Sequence, residues 1–409
     1  MNVRQQSREG NFAAAEKRLP FLKELGVDII WLMPIHPIGV KERKGTLGSY
    51  YAIRDYRAIN PEFGTMEDFE RFLKSAHKLN LKVIMDCVAN HTSPDAAWVT
   101  EKPAEWYHRD STGKPIVQYD WTDISKLNYD CREVREAMID QLEFWTAKGV
   151  DGFRCDAAAE MPDEFWQEAI RAIKALNPEA YMLAEGEGTH FHRDGFDATY
   201  AWELHHLMND IAQGEKTVDS LRTLLAKSAG EYPETAFRLM FTSNHDENSW
   251  AGTEFERMGD AAACMASLTY LLPQGQPLIY TGQEVGFNRR LQFFEKDSID
   301  DWTPNHWTEF YRKLNDLRHR HPALQAGEAG GKMVEIANNN PSRLLSFVRE
   351  AEGRRVMVLM NLSPEIVEAR FETRAHAGEY TDALNGGKER IGGQLLKEML
   401  PWHYQILYF

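Results

Sequence analysis

Cysteine is scarce in this chain. Its four residues, Cys87, Cys131, Cys155 and Cys264, are widely spaced and form no C-x-x-C pair, which removes a disulfide framework and a zinc cluster from consideration. Buried free thiols are the expectation. Long apolar runs are lacking too: no stretch approaches the roughly 20 residues of a membrane-spanning helix, and no charged leader with an apolar core opens the chain. Membrane insertion is not expected. As written the chain reads as cytoplasmic, and as secreted or periplasmic if a leader was removed. Positive charge is in deficit, with 47 Lys and Arg against 62 Asp and Glu and a formal net charge of −15. That excess repels polyanions, which argues against nucleic acid or an anionic membrane surface as a partner. No G-x-G-x-x-G follows any strand-like run, so a dinucleotide-binding open sheet loses its usual support.

What is present is a long chain of 409 residues with 43% hydrophobic and 27% charged side chains, the balance of a globular protein with a large core. Eleven tryptophans provide rings that stack on sugar faces where exposed, although most belong in the core. Strand-like and helix-like runs alternate. Residues 2–5 open the series weakly; residues 17–25 read as a helix and 27–34 as a buried strand ended by proline. A helix over 66–79, a strand over 82–88 and a helix over 134–148 follow. The series continues through residue 319, giving about eight strand–helix units, the repeat of an eight-stranded (β/α)8 TIM barrel. Between residues 92 and 131 no period survives, which reads as an inserted domain after the third strand. After His321-Pro322 short β-type runs separated by Gly, Asn and Pro take over, which predicts a C-terminal antiparallel β-sandwich. The expected domains are residues 1–91 and 132–326 for the barrel, 92–131 for the insertion, and 327–409 for the sandwich.

Residues 149–156, G-V-D-G-F-R-C-D, carry the strongest local pattern. Strand side chains alternate between faces, so Gly152, Arg154 and Asp156 share one side. A guanidinium next to Asp156 favours the ionised carboxylate, which suits a nucleophile. Other strand ends add Asp86 with Asn90-His91, then Glu185, then His245-Asp246. A lone strand-end acid often caps the next helix. Four together, with two histidines and an arginine, fit that explanation poorly. Several carboxylates around one centre, without cysteine or an evident metal set, match glycoside hydrolysis. Asp156 suits the attacking role. Glu185 follows the apolar run Tyr181 to Ala184 and suits the acid, with Glu187 as its rival.

At this point the residues resemble the α-amylase family of glycoside hydrolases. Asp86-Cys87-Val88-Ala89-Asn90-His91, Gly152-Phe153-Arg154-Cys155-Asp156, Ala184-Glu185 and Ser243-Asn244-His245-Asp246 resemble its four signatures in order. Residues 48–65 resemble its segment with a sugar-stacking tyrosine, here Tyr51, and residues 276–284, Q-P-L-I-Y-T-G-Q-E, its last barrel strand. The resemblance implies retaining cleavage of α-1,4-glucosidic bonds in starch, glycogen or maltooligosaccharides. Asp156 would be the nucleophile, Glu185 the acid and base, and Asp246 the third carboxylate. Tyr51, Asp86, His91, Arg154 and His245 would bind the same glucosyl unit.

Departures from the family pattern point elsewhere within it. Ala159-Glu160 and Ile124-Ser125-Lys126-Leu127-Asn128 resemble neopullulanases and cyclomaltodextrinases, so a transglycosylating or cyclodextrin-cleaving enzyme is the alternative. Asn128 stands where many amylases place a calcium-binding aspartate; no cofactor is expected as required, and structural calcium, with Asn90 as one ligand, is not assigned. A barrel that binds glycans or a protein without catalysis is the alternative of another class, and the presence of all three acids argues against it. The sequence sets no oligomeric state.

Overall fold

The computed structural model describes residues 1–409. The chain divides into two compact units, residues 1–199 with 291–302, and residues 200–290 with 303–409.

In the first unit, parallel strands alternate with helices. Strand β1 (Ile29–Leu32) pairs in parallel with β2 (Lys82–Cys87), β2 with β3 (Gly152–Cys155), β3 with β4 (Tyr181–Ala184), and β4 with β5 (Ala198–Tyr200). Between them run helices α1 (Phe12–Leu25), α2 (Met66–Lys78), α3 (Arg132–Ala147) and α4 (Asp163–Leu176). Helix α2 shows why these segments become helices. Thr65 and Asp68 cap it reciprocally, and Phe69, Phe72, Leu73 and Ala76 bury one face. The strands are buried on both faces, as parallel strands under helices must be, and so read as continuous apolar runs. The expected strand at residues 2–5 is instead a series of turns, although Met33 N–H donates to Met1 O at 3.1 Å beside the end of β1. Helix α1 begins five residues earlier than its periodicity suggests, because the Asn11 side chain caps Ala14 N–H and the helix accommodates Pro20. Residues 92–131 contain the short helix Ala97–Glu101, a single 3-10 turn, isolated antiparallel bridges such as Tyr107 with Leu127, and a two-residue antiparallel ladder, His91–Thr92 with Ser125–Lys126.

The second unit contains β6 (Phe237–Met240) and β7 (Gly275–Pro277), paired in parallel, with helices α5 (Trp202–Ala212), α6 (Val218–Glu231), α7 (Ala262–Leu271) and α8 (His306–Arg320). Its C-terminal part is antiparallel. Strands β8 (Met333–Glu335), β9 (Leu344–Ala351), β10 (Arg354–Asn361), β11 (Val367–Phe371), β12 (Gly378–Asp382), β13 (Lys388–Ile391), β14 (Leu395–Met399) and β15 (Tyr404–Tyr408) form a six-stranded sheet in the order β8-β9-β10-β15-β12-β13 and a separate β11–β14 pair. The two sheets enclose Val348, Met357, Phe371, Tyr380, Met399 and Leu407. Arg349, almost fully buried in β9, donates to Leu271 O and Leu272 O at the end of α7 and to Gln325 O and Gly331 O. One guanidinium thus joins the sandwich to the preceding helix.

Gly152 fixes how closely β3 and β4 approach. Its φ is +149°, and a Cβ there would lie 2.0 Å from Tyr181 O. We expect Gly152→Ala to lose roughly 2 kcal/mol or more of stability through that backbone clash. Denaturant unfolding measures it, and a variant as stable as the parent would show that the strands can separate at no cost.

Candidate active site

The site grows from the register of three adjacent strands. Asp86 in β2 and Arg154 in β3 are directly paired across the ladder, as are Arg154 and Leu183 in β4. The ladder continues beyond the strand ends, with Asp156 N–H on Cys87 O and Glu185 N–H on Cys155 O, both at 2.9 Å. Asp86, Asp156 and Glu185 therefore leave neighbouring strands at nearly one level, and all three reach the same guanidinium. Arg154 Nη1 lies 3.0 Å from Asp86 Oδ1 and 2.8 Å from Asp156 Oδ1, and Nη2 lies 2.8 Å from Glu185 Oε1. The side chains of Arg154 and Asp86 are wholly buried, whereas those of Asp156 and Glu185 remain 13% and 17% exposed. Only those two carboxylates open towards solvent.

Each acid has a further partner. Asp86 Oδ2 accepts from Tyr51 OH at 2.9 Å and Trp31 Nε1–H at 3.1 Å. Glu185 Oε2 accepts from Ala157 N–H at 2.7 Å. Ala157 is left-handed, at φ 44°, an unfavourable setting for a residue with a Cβ that turns its N–H towards Glu185. Tyr51 also packs nearly parallel to Phe293, with centroids 6.3 Å apart and planes 19° apart. His91 Nε2 faces Tyr51 O at 3.1 Å and so carries the proton, leaving Nδ1 to accept from Asn90 Nδ2 at 3.0 Å. Both of its ring nitrogens are occupied within the protein.

Electrostatics departs from the expectation that Arg154 keeps Asp156 ionised. Burial first, then the Glu185 charge, pushes the Asp156 carboxyl well above its usual range, and the pull of Arg154 does not prevail. Burial likewise pushes Asp86 up to about 6 against Arg154 and Tyr51. Three carboxylates share one cation. The shifts of Asp86 and Asp156 therefore belong to the group as a whole.

His245 and Asp246 form a second group, in the second unit. His245 Nε2 lies 3.3 Å from Asp246 Oδ2; the histidine is buried and the aspartate side chain is 39% exposed. Asn244 Oδ1 accepts from the N–H groups of both Asp246 and Glu247, at 3.0 and 2.8 Å, which shapes the turn after β6.

The residues near Asn90 do not suit calcium. The Asn90 amide donates to Gln118 Oε1 at 2.7 Å, and Gln118 Nε2 in turn donates to Glu160 Oε2 at 2.6 Å. Asn128 Nδ2 donates to Glu105 O. These amides are engaged as hydrogen-bond donors within the protein, and no three His, Cys, Asp or Glu side chains converge in a metal-binding set.

Trp31, Phe293 and Glu160 join the site from positions that the sequence does not mark as functional. Trp31 reads as one more apolar residue of a buried strand, and Phe293 lies 242 positions after Tyr51, so neither carries a local signal. Glu160 is visible in the sequence only as a departure from a motif; its Oε1 also accepts from Tyr119 OH.

A family model described as the alpha amylase catalytic domain matches residues 4–121 and 100–331, and a model for the alpha amylase C-terminal all-beta domain matches 335–401. A protein named alpha-amylase MalA from Haloarcula japonica is 30% identical over 94% of this chain, which spans 58% of that protein's length. Neopullulanase 2 from Thermoactinomyces vulgaris is 28% identical over 98% of the chain and 71% of its own length. Among solved structures, a noncanonic maltogenic alpha-amylase, AmyB from Thermotoga neapolitana, superposes with a TM-score of 0.90 at 28% identity, covering 100% of this chain and 96% of that one. The fold class is a TIM barrel followed by an all-β C-terminal domain. No helix is long and apolar enough to cross a membrane.

Two buried histidines make a pH prediction. Burial holds His91, and His36 against Tyr56 and Trp145, down to about 4 from the ordinary 6.5. The unfolded chain takes up these protons before the folded one, so the stability they carry is full above pH 6.5 and lost as pH falls towards 4. Asp86 and Asp156, both raised by burial, work the other way. We expect His36→Asn to remove the His36 part of the acid slope, up to about 1.4 kcal/mol per pH unit. An unchanged slope in the variant would place the acid lability elsewhere.

Proposed function

Because the chain belongs to the α-amylase family of glycoside hydrolases, we propose that it cleaves α-1,4-glucosidic bonds of starch, glycogen or maltooligosaccharides with retention of configuration. The observation that carries this reading is the pair Asp156 and Glu185 on the two arms of one buried guanidinium, each keeping a path to solvent. Retaining enzymes hold their two carboxyl groups about 5–5.5 Å apart and inverting ones roughly 6.5–9.5 Å; sharing one guanidinium favours the shorter spacing. Asp156 is the nucleophile that attacks the anomeric carbon. Glu185 gives a proton to the departing oxygen and then takes one from the water that releases the glycosyl-enzyme. Asp246 is the third carboxylate, stabilising the oxocarbenium-like transition state, with His245 beside it.

Substrate binding follows from the same geometry. Tyr51 presents its ring to the sugar, with its hydroxyl fixed by Asp86 and its backbone carbonyl by His91. Arg154 orients both acids. The domain division proposed alongside this reading keeps residues 1–91 and 132–326 as barrel, 92–131 as insertion and 327–409 as sandwich; the two family matches, ending at 331 and beginning at 335, support the last boundary.

A second reading is favoured by Glu160, which follows the nucleophile turn and receives hydrogen bonds from Gln118 and Tyr119 of residues 92–131. Together with the neopullulanase and maltogenic amylase likenesses, it supports an enzyme that also transfers glycosyl groups to sugars or opens cyclodextrins. A non-catalytic glycan- or protein-binding barrel gains no support from a cluster with all its acids in place.

We expect Asp156→Asn to lower kcat/KM on soluble starch by roughly a thousandfold or more with the fold intact. Glu185→Gln should slow starch far more than an aryl maltoside with an activated leaving group, which needs no proton. Equal losses on both substrates would remove Glu185 from the acid role. Proton NMR of the first anomer formed decides retention. Products longer than added maltotriose, or cleavage of cyclodextrin or pullulan, would move the assignment to the second reading.

A further inference from the structure

His205, on α5, is completely buried. Nδ1 lies 3.0 Å from Phe241 O, just beyond β6, and Nε2 lies 3.1 Å from Glu247 Oε2 and 3.3 Å from the Asn209 amide nitrogen. The ring stacks on Phe241 with centroids 4.6 Å apart and planes 20° apart. Carbonyl and carboxylate oxygens only accept, so the ring contributes N–H to these contacts, and Nε2 with Glu247 forms the link from α5 to the turn after β6. Burial tends to raise the Glu247 carboxyl, but the hydrogen bond and charge of His205, then Arg257 and His206, outweigh it and hold the group below its usual range.

Glu247 is the residue after Asp246. The turn that presents Asp246 is held on one side by Asn244, whose Oδ1 takes the two N–H groups and whose carbonyl takes Asn248 N–H at 3.0 Å. On the other side it runs into a π-helical turn, Glu247–Ala251, a local geometry that is uncommon and concentrates at functional sites. The Glu247 side chain is the tie between this turn and the helix packed beneath it. Arg257 braces the same region, donating to Thr242 O and to Asn209 Oδ1 at 2.7 Å, while Asn209 donates to His205 O at 2.9 Å.

We propose that His205 is a positioning residue for the reaction: its imidazole anchors Glu247 and thereby fixes the turn on which Asp246 stands. This rests on the reading of Asp246 as a reaction carboxylate. Removing the anchor leaves the substrate-binding groups of the first unit untouched and loosens a group needed only as charge develops, so the loss falls on kcat and not on KM.

The test uses the full chain and a maltooligosaccharide substrate, with Glu247→Gln, His205→Phe, His205→Gln, the double variant Glu247→Gln with His205→Phe, and Asp246→Asn. We expect Glu247→Gln and His205→Phe each to lower kcat about tenfold or more with KM within about twofold, and the double variant to be no worse than either alone. His205→Gln, which keeps one N–H donor, should recover part of the loss. Wild-type kcat in Glu247→Gln, or losses that multiply in the double variant, would overturn the proposal. Should His205→Phe fail to fold, Glu247→Gln, isosteric and at a partly exposed position, decides alone. Full activity in Asp246→Asn would instead overturn the reading of Asp246, and the proposal with it.

Discussion

One guanidinium governs the first unit of this molecule. Arg154 is inaccessible to solvent and meets Asp86, Asp156 and Glu185 at 3.0, 2.8 and 2.8 Å. A buried cation is costly unless acceptors surround it, and three buried carboxylates are costly unless a cation lies among them. Each side therefore requires the other. The arrangement exists because three parallel strands run in register and release their acids at one level, and that register depends on Gly152 letting β3 lie against Tyr181. Packing of the backbone and the charge balance of the site are the same constraint seen at two scales.

That balance is not neutral. One positive and three negative groups leave an excess that burial makes costly, and the carboxyls of Asp86 and Asp156 are raised by it. On the proposed reading this imbalance suits the chemistry. A retaining mechanism needs one acid protonated and one ionised at the same pH. Glu185 accepts from Ala157 N–H and sits against Arg154, so the two acids are held in place by the same cation.

Much of this was legible in the chain. Alternation in residues 149–156 placed Arg154 next to Asp156 because a strand permits no other arrangement over two residues, and the 2.8 Å pair follows directly. Asp86 and Glu185 were visible as acids ending apolar runs. Partners that approach from distant parts of the chain were not: Trp31 donates to Asp86 across 55 positions, and Phe293 returns to Tyr51 from beyond the second unit's first segment. Periodicity misread residues 2–5, whose apolar and polar alternation is too short to define a strand. In the C-terminal region the strands rich in Val, Leu and Met, β9 and β10, were evident, whereas β12 to β14 carry Lys, Glu and Gly on an exposed face and gave no signal.

The same blindness applies to sign. Sequence adjacency suggested that Arg154 would depress Asp156, because a neighbouring cation is the one electrostatic partner that spacing reveals. Burial and a second carboxylate from another strand outweigh it, and both are properties of the assembled site. His205 is the converse case: an unremarked histidine in an amphipathic helix, with nothing in its neighbours Glu203 to Leu207 to mark it. Only its placement between Phe241 O and the Glu247 carboxylate makes it a link between α5 and the turn after β6. Charge states at such sites are set by what converges on a side chain after folding, so acids and bases can be nominated from a sequence while their protons cannot.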